Sequence, residues 1–108
     1  MRRGELWTAA GGKHYAGKPR PVLVVQDDRF DATDSITICP LTSDPTAIPL
    51  LRIRLDHRSG SVLAQPSSIM VDQLTTMPRS KLGQHIGAAS DTDMLALSRA
   101  LVVFLGLA

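Results

Sequence analysis

The chain has little of what common enzyme and receptor sites are built from. Cys39 is its only cysteine, which excludes an internal disulfide framework and any zinc site made of several thiolates, and suits a reducing cytoplasm. Aromatic residues make up 4% of the chain, as Trp7, Tyr15, Phe30 and Phe104. So few rings exclude an RNA-stacking sheet of the RRM type and an aromatic cage. The longest apolar run, Leu101 to Leu105, falls far short of the roughly 20 residues a membrane helix needs. Arg2 and Arg3 are followed by no apolar stretch before Gly11, so the start does not read as a signal peptide. A histidine pair at helical ligand spacing, a Walker-type phosphate loop, a Gly-x-Ser-x-Gly elbow and an acidic cluster of metal-site character are all missing. No metal and no other cofactor is expected.

What remains is ordinary in amount and uneven in placement. The 108 residues are 44% hydrophobic and 20% charged, which fits one globular domain over residues 1–108. A domain this size buries only about two-thirds of its unfolded surface, so a partner subunit would add stability. The net charge is +2, but Arg2, Arg3, Lys13, Lys18 and Arg20 face only Glu5 in the first segment. Asp27, Asp28, Asp31 and Asp34 then crowd around Arg29. A solvated turn is the stronger reading of these aspartates, because their spacing matches no calcium loop.

Periodicity predicts a mainly β chain closed by one helix. Strands are expected at Glu5 to Ala9, Val22 to Val25, Ser35 to Leu41, Leu51 to Leu55, Ser61 to Gln65, Ser67 to Val71 and Gln73 to Thr76. Strands this short and this closely spaced suggest a small barrel or a strongly bent sheet. Ser90 offers an N-cap hydroxyl ahead of Asp91 and Asp93, and Gly106 stands where a C-cap glycine belongs, which predicts a helix from Asp91 to Leu105. Met94, Leu97, Leu101 and Leu105 form its apolar stripe, and Leu95, Val102 and Val103 widen it, so the helix is expected to be covered on more than one side.

Two constellations are left for chemistry. Lys18-Pro19-Arg20-Pro21 sets a guanidinium at the mouth of an apolar strand, between two prolines that fix its backbone. Pro40-Leu41-Thr42-Ser43 carries two hydroxyls past the end of another. Neighbouring strands could bring these ends together. Each also has a plain reading, Arg20 as a surface ion-pair partner and Thr42-Ser43 as turn residues. His14, His57 and His85 sit in no supporting motif, and Cys39, between Ile38 and Pro40, reads as a buried small apolar residue.

Arg3-Gly4-Glu5-Leu6-Trp7, Gly17-Lys18-Pro19-Arg20-Pro21-Val22-Leu23-Val24-Val25-Gln26, Pro40-Leu41-Thr42-Ser43, Met70-Val71-Asp72-Gln73-Leu74-Thr75-Thr76 and the closing Ala100 to Leu107 together resemble the MazF/PemK family of toxins from type II toxin-antitoxin pairs. The resemblance covers nearly the whole chain, in the family's order. It implies an SH3-like small barrel of the MazF/CcdB toxin type, a homodimer, and a metal-independent endoribonuclease cutting single-stranded RNA at short sequences to 2′,3′-cyclic phosphate and 5′-hydroxyl ends. It also implies a cognate antitoxin whose disordered acidic segment occupies the RNA groove. Arg20 then matches the family's catalytic arginine and Thr42 its hydroxyl residue, while Lys18 and Ser43 flank them.

Gln73 matches a glutamine beside the RNA-binding groove, where an amide can read a base edge; a strand-end hydrogen bond is its equal alternative. Arg52 and Arg54 either line the RNA path or form a solvated face, the latter being the stronger reading. An arginine holds its proton far above neutral pH, so the base that takes the 2′-hydroxyl proton stays open between a substrate-positioned water and a loop side chain such as His14. The loop Ala9 to Ala16 and the stretch Asp56 to Ala64 depart most from the motifs, which leaves the recognised RNA sequence unspecified. Two readings of another class keep the same fold: a CcdB-like toxin that binds gyrase, and a catalytically inactive binding module. CcdB-type toxins use an aromatic residue near the C-terminus, whereas this chain ends Phe104-Leu105-Gly106-Leu107-Ala108 without tryptophan.

Overall fold

The computed structural model describes residues 1–10, 18–55, 63 and 65–107. Side-chain alternation builds the sheet. In β1 (Glu5–Ala9) Leu6 faces one side and Trp7 and Ala9 the other, as a strand's period of two requires. The same switch runs through β2 (Arg20–Val24), where Leu23 joins one apolar cluster and Val22 and Val24 the other. It runs again through β3 (Ser35–Thr42), with Cys39 and Leu41 on the first side and Ile36 and Ile38 on the second. β4 (Arg52–Arg54), β5 (Ser68–Met70), β6 (Thr75–Pro78) and β7 (Leu82–Ala88) complete the strands among the described residues.

All pairings are antiparallel, in the order β4-β5-β3-β2-β1-β7, with β6 also on β3. β3 is the pivot. Its first half pairs with β6 and its end, Leu41 and Thr42, pairs with β5, while β2 takes its other edge. The sheet therefore bends along β3 into the small SH3-like barrel expected, mainly β with a C-terminal helix.

The helix α1 (Asp91–Phe104) begins where Ser90 Oγ accepts the Asp93 amide at 3.1 Å, and Asp91 and Asp93 lie in its positive first turn. It ends with Gly106 at φ +72°, the Leu107 amide reaching the Val102 carbonyl and the Gly106 amide the Val103 carbonyl, a Schellman closure that needs a left-handed residue. Leu97 and Ala100 are buried against Leu6, Leu23, Cys39, Leu41, Ile69 and Val71. Arg3 fastens this packing, its Nη2 donating to Ser98 Oγ at 2.8 Å and its Nη1 to the Val25 carbonyl. No helix among the described residues is long and apolar enough to cross a membrane.

The structure departs from expectation at four points. Leu95, Val102, Val103 and Leu105 are exposed, so within this chain the helix is covered on one side only, since a single sheet face lies against it. β7 was not read from the sequence. Residues Val71–Gln73 form a 3-10 turn, so the strand expected from Gln73 begins instead at Thr75. β2 starts at Arg20, with Pro21 inside it. The strand expected at Ser61 to Gln65 lies largely outside the described residues, as do His14 and His57.

Candidate functional site

The sheet face turned away from α1 is apolar over Val22, Val24, Ile36 and Ile38 and polar beyond them. The change is written in the registers. Arg20 pairs across β1–β2 with Ala9, Thr42 pairs across β3–β5 with Ser68, and Ser68 pairs across β5–β4 with Arg54. Between β2 and β3 the recorded pairs run from Val24↔Ile38 to Val22↔Pro40, and continuing that register by two residues sets Arg20 across from Thr42. Directly opposed residues of an antiparallel pair point to the same side, about 5 Å apart at Cβ. Thr42, Ser68 and Arg54 thus share one face, and extending the β2–β3 register by two residues adds Arg20 to that face.

Their hydrogen-bonding states differ. Arg20 is exposed, and no hydrogen bond or ion pair joins it to a described residue; the plain reading of it as a surface ion-pair partner has no counterpart there. Lys18 and Ser43 are likewise exposed and unpaired among the described residues. Thr42 Oγ1 accepts the Asp44 amide at 3.1 Å, which fills a lone pair and leaves the hydroxyl proton to donate. Thr46 in turn donates to Asp44 Oδ1 from its amide at 2.9 Å and its hydroxyl at 2.7 Å, holding the Asp44 carboxyl below its ordinary value. Arg54 is exposed and reaches buried Ser68 Oγ at 3.4 Å. A guanidinium without a partner among the described residues and a hydroxyl with its proton to donate both suit a dianionic phosphorane, because both offer protons to oxygens that gain charge.

Arg52 differs from Arg54 although both face the same side of β4. Its Nη1 donates to Asp72 Oδ1 at 2.5 Å and to the Leu51 carbonyl at 2.9 Å, and its side chain is 16% exposed. Its charge is answered within the protein. Desolvation works to raise the Asp72 carboxyl, but the hydrogen bond and charge of Arg52, with smaller help from Gln73, hold it below its ordinary value. Gln73 is exposed and its Nε2 donates to Asp72 Oδ2 at 3.4 Å.

Cys39 is fully buried, and burial pushes its thiol up to about 12, so it is no nucleophile. His85 has its ring stacked on Trp7 at 5.3 Å. Among the described residues no three His, Cys, Asp or Glu side chains gather closely enough to hold a metal ion. Sequence reasoning assigned no role to Ser68 or to Asp72, although Asp72 stands in a quoted motif, because Ser68 acquires its place through cross-strand partners and Asp72 through Arg52.

Comparison with known proteins agrees with this architecture. A family model described as a PemK-like, MazF-like toxin of type II toxin-antitoxin system matches residues 2–105. A protein of Mycolicibacterium smegmatis named a probable endoribonuclease MazF is 53% identical over 108 residues, covering 100% of this chain and 99% of its own. A mycobacterial structure described as an endoribonuclease in complex with its cognate antitoxin superposes with a TM-score of 0.84 at 21% identity, covering 100% of this chain and 97% of that one. A MazE-MazF crystal structure from Deinococcus radiodurans superposes with a TM-score of 0.76 at 18% identity, covering 99% and 96%. The bent sheet, its closing helix and a match over nearly every residue leave one assignment: the chain belongs to the PemK-like, MazF-like toxins of type II toxin-antitoxin systems.

Proposed function

We propose that this chain, an endoribonuclease of the MazF type, cleaves single-stranded RNA at short specific sequences without a metal ion, with Arg20 and Thr42 acting on the scissile phosphate. The substrate's 2′-oxygen bonds to phosphorus, the bond from phosphorus to the 5′-oxygen breaks, and the products carry a 2′,3′-cyclic phosphate and a 5′-hydroxyl. The 2′-hydroxyl proton leaves to a base, and the departing 5′-oxygen gains a proton. Arg20 clamps the charge that builds on the phosphorane oxygens, and the Thr42 hydroxyl donates to a non-bridging oxygen or to the leaving group. What supports this reading is an Arg20 guanidinium with no partner among the described residues, set by the extended β2–β3 register toward a Thr42 hydroxyl that accepts the Asp44 amide and keeps its proton to donate.

The rest of the reading follows from family and surface. Residues 1–108 work as one domain in the cytoplasm, where RNA is available. A second copy covers the exposed end of α1, where Val103 is 55%, Phe104 44% and Leu105 50% exposed. A cognate antitoxin with an acidic disordered segment competes with RNA for the basic face. Lys18, Ser43, Arg54 and Gln73 contribute RNA contacts.

The test is incubation of the purified protein with a mixed single-stranded RNA in excess chelator, followed by sequencing and chemical identification of the new ends. Cyclic phosphate and 5′-hydroxyl ends at a recurring sequence are expected. Cutting that stops in chelator and returns with magnesium would overturn the metal-free chemistry, and intact RNA with tight gyrase binding would favour a CcdB-like role.

A further inference from the structure

The Arg52–Asp72–Gln73 chain does something that neither arginine nor glutamine could do alone. Asp72 has one oxygen taken by Arg52 at 2.5 Å and the other by Gln73 Nε2 at 3.4 Å. A carboxylate can only accept. The Gln73 amide must therefore bring its NH2 group to Asp72, which turns its carbonyl away from Asp72 on an exposed side chain. A free glutamine side chain rotates its terminal amide and offers donor or acceptor as the ligand demands. Here the orientation is held, leaving the carbonyl open to accept with one remaining N–H beside it, and the Arg52 pair holds the carboxylate that enforces this.

We infer that Asp72 is a positioning residue that fixes the Gln73 carbonyl outward, so that this part of the site selects an unpaired base whose edge presents an N–H donor. The inference rests on the reading above that Gln73 meets RNA, and adds the sense in which it reads. Arg52 then serves recognition through Asp72, whereas Arg54, which among the described residues bonds only the Ser68 hydroxyl, keeps its charge for the phosphate backbone.

The experiment compares cleavage of a randomised RNA pool by wild type, Gln73→Ala, Asp72→Asn and Arg54→Ala. Gln73→Ala marks the nucleotide position that Gln73 reads. Asp72→Asn is expected to relax preference at that same position about tenfold, the scale of one good base contact, because an amide at residue 72 can accept or donate and lets Gln73 turn either way. Replacing the preferred base by an analogue lacking its N–H donor should slow the wild type about tenfold and Asp72→Asn much less. Arg54→Ala should weaken all sequences alike. Asp72→Asn that slows every sequence equally, with preference unmoved, overturns the inference while the endoribonuclease reading stands.

A second measurement needs no RNA. In the wild type the Gln73 side-chain amide resonances, identified by their absence in Gln73→Ala, should move as the Asp72 carboxyl titrates in acid. Amide resonances that ignore this titration overturn the orientation, whether or not RNA is cut. Wild type that cuts no RNA removes the underlying reading, a failure that the amide titration tells apart.

Discussion

The two faces of the sheet are made by the same strands and have different contents. On the helix side Leu6, Leu23, Cys39, Ile69, Val71 and Leu97 are all 0% exposed, and they form one continuous apolar cluster under the helix. On the opposite side Val22, Val24, Ile36 and Ile38 are buried as deeply, but the face turns polar toward the ends of β2 and β3. One face has nothing to do but exclude water. The other combines an apolar anchor with a rim of side chains whose partners are incomplete, and an incomplete partner set at a strand mouth is what a polyanion can complete. Stability and activity should accordingly separate by face.

The largest effect tests the helix side. Leu23→Ala should lower unfolding free energy by about 2–5 kcal/mol, as lost transfer energy plus the cavity left behind, measured by urea denaturation. Residual folded protein should still cut RNA at the same sequences. Altered sequence preference would break the division.

Next comes Arg20→Ala on the opposite face. Removing one preorganised charge donor costs about 10²–10³ in rate, while an exposed side chain without a partner among the described residues should change stability by no more than about 0.5 kcal/mol. A mutant that cuts like the wild type would remove the chemistry proposed for Arg20. One that unfolds would show that Arg20 belongs to the scaffold.

Thr42→Val should cost less than Arg20→Ala, with about ten- to hundredfold slower cleavage from the loss of one hydrogen bond to a charged group. Thr42→Ser should retain most of the rate, since the donated proton survives. If valine and serine behave alike, Thr42 is a turn residue only, capping the Asp44 amide.

The comparison of faces also explains what could be read from sequence. β1 was legible to the residue, and α1 to one residue at its end, because alternation and caps are local signals. β7 was not. It carries Gly83 and Gly87, its pairing with β1 shifts register on both sides of Trp7, and such irregularities erase a period of two. The helix stripe was overread because apolar content alone does not say which side a sheet occupies. For the candidate site, Arg20 and Thr42 were singled out by motif alone, while their placement relative to one another depends on the β2–β3 register. Arg52 and Arg54 could not be told apart, since both have the same parity on one strand. Only tertiary contact with Asp72 separates them.

The smallest effect concerns the rim of the opposite face, where Glu5 sits 20% exposed. Its Oε1 accepts the Arg2 amide at 2.7 Å and the Trp7 indole N–H at 3.1 Å, and its Oε2 lies 3.5 Å from His85 Nε2. Burial works to raise this carboxyl, but the Arg2 amide, the Trp7 indole and the His85 charge outweigh it and hold it below its ordinary value. A carboxyl whose folded value is depressed adds stability that is complete above its unfolded value, and loses it as pH falls through the folded one. The melting temperature of the wild type should therefore drop below about pH 4.5 more steeply than that of Glu5→Gln, by an amount worth less than about 1 kcal/mol. Glu5→Gln keeps the acceptor for Trp7 and removes the titration, so parallel melting curves for the two proteins from pH 6 to pH 3 would show that the rim adds nothing through charge, and that β1 and β7 are joined here by backbone and ring contacts alone.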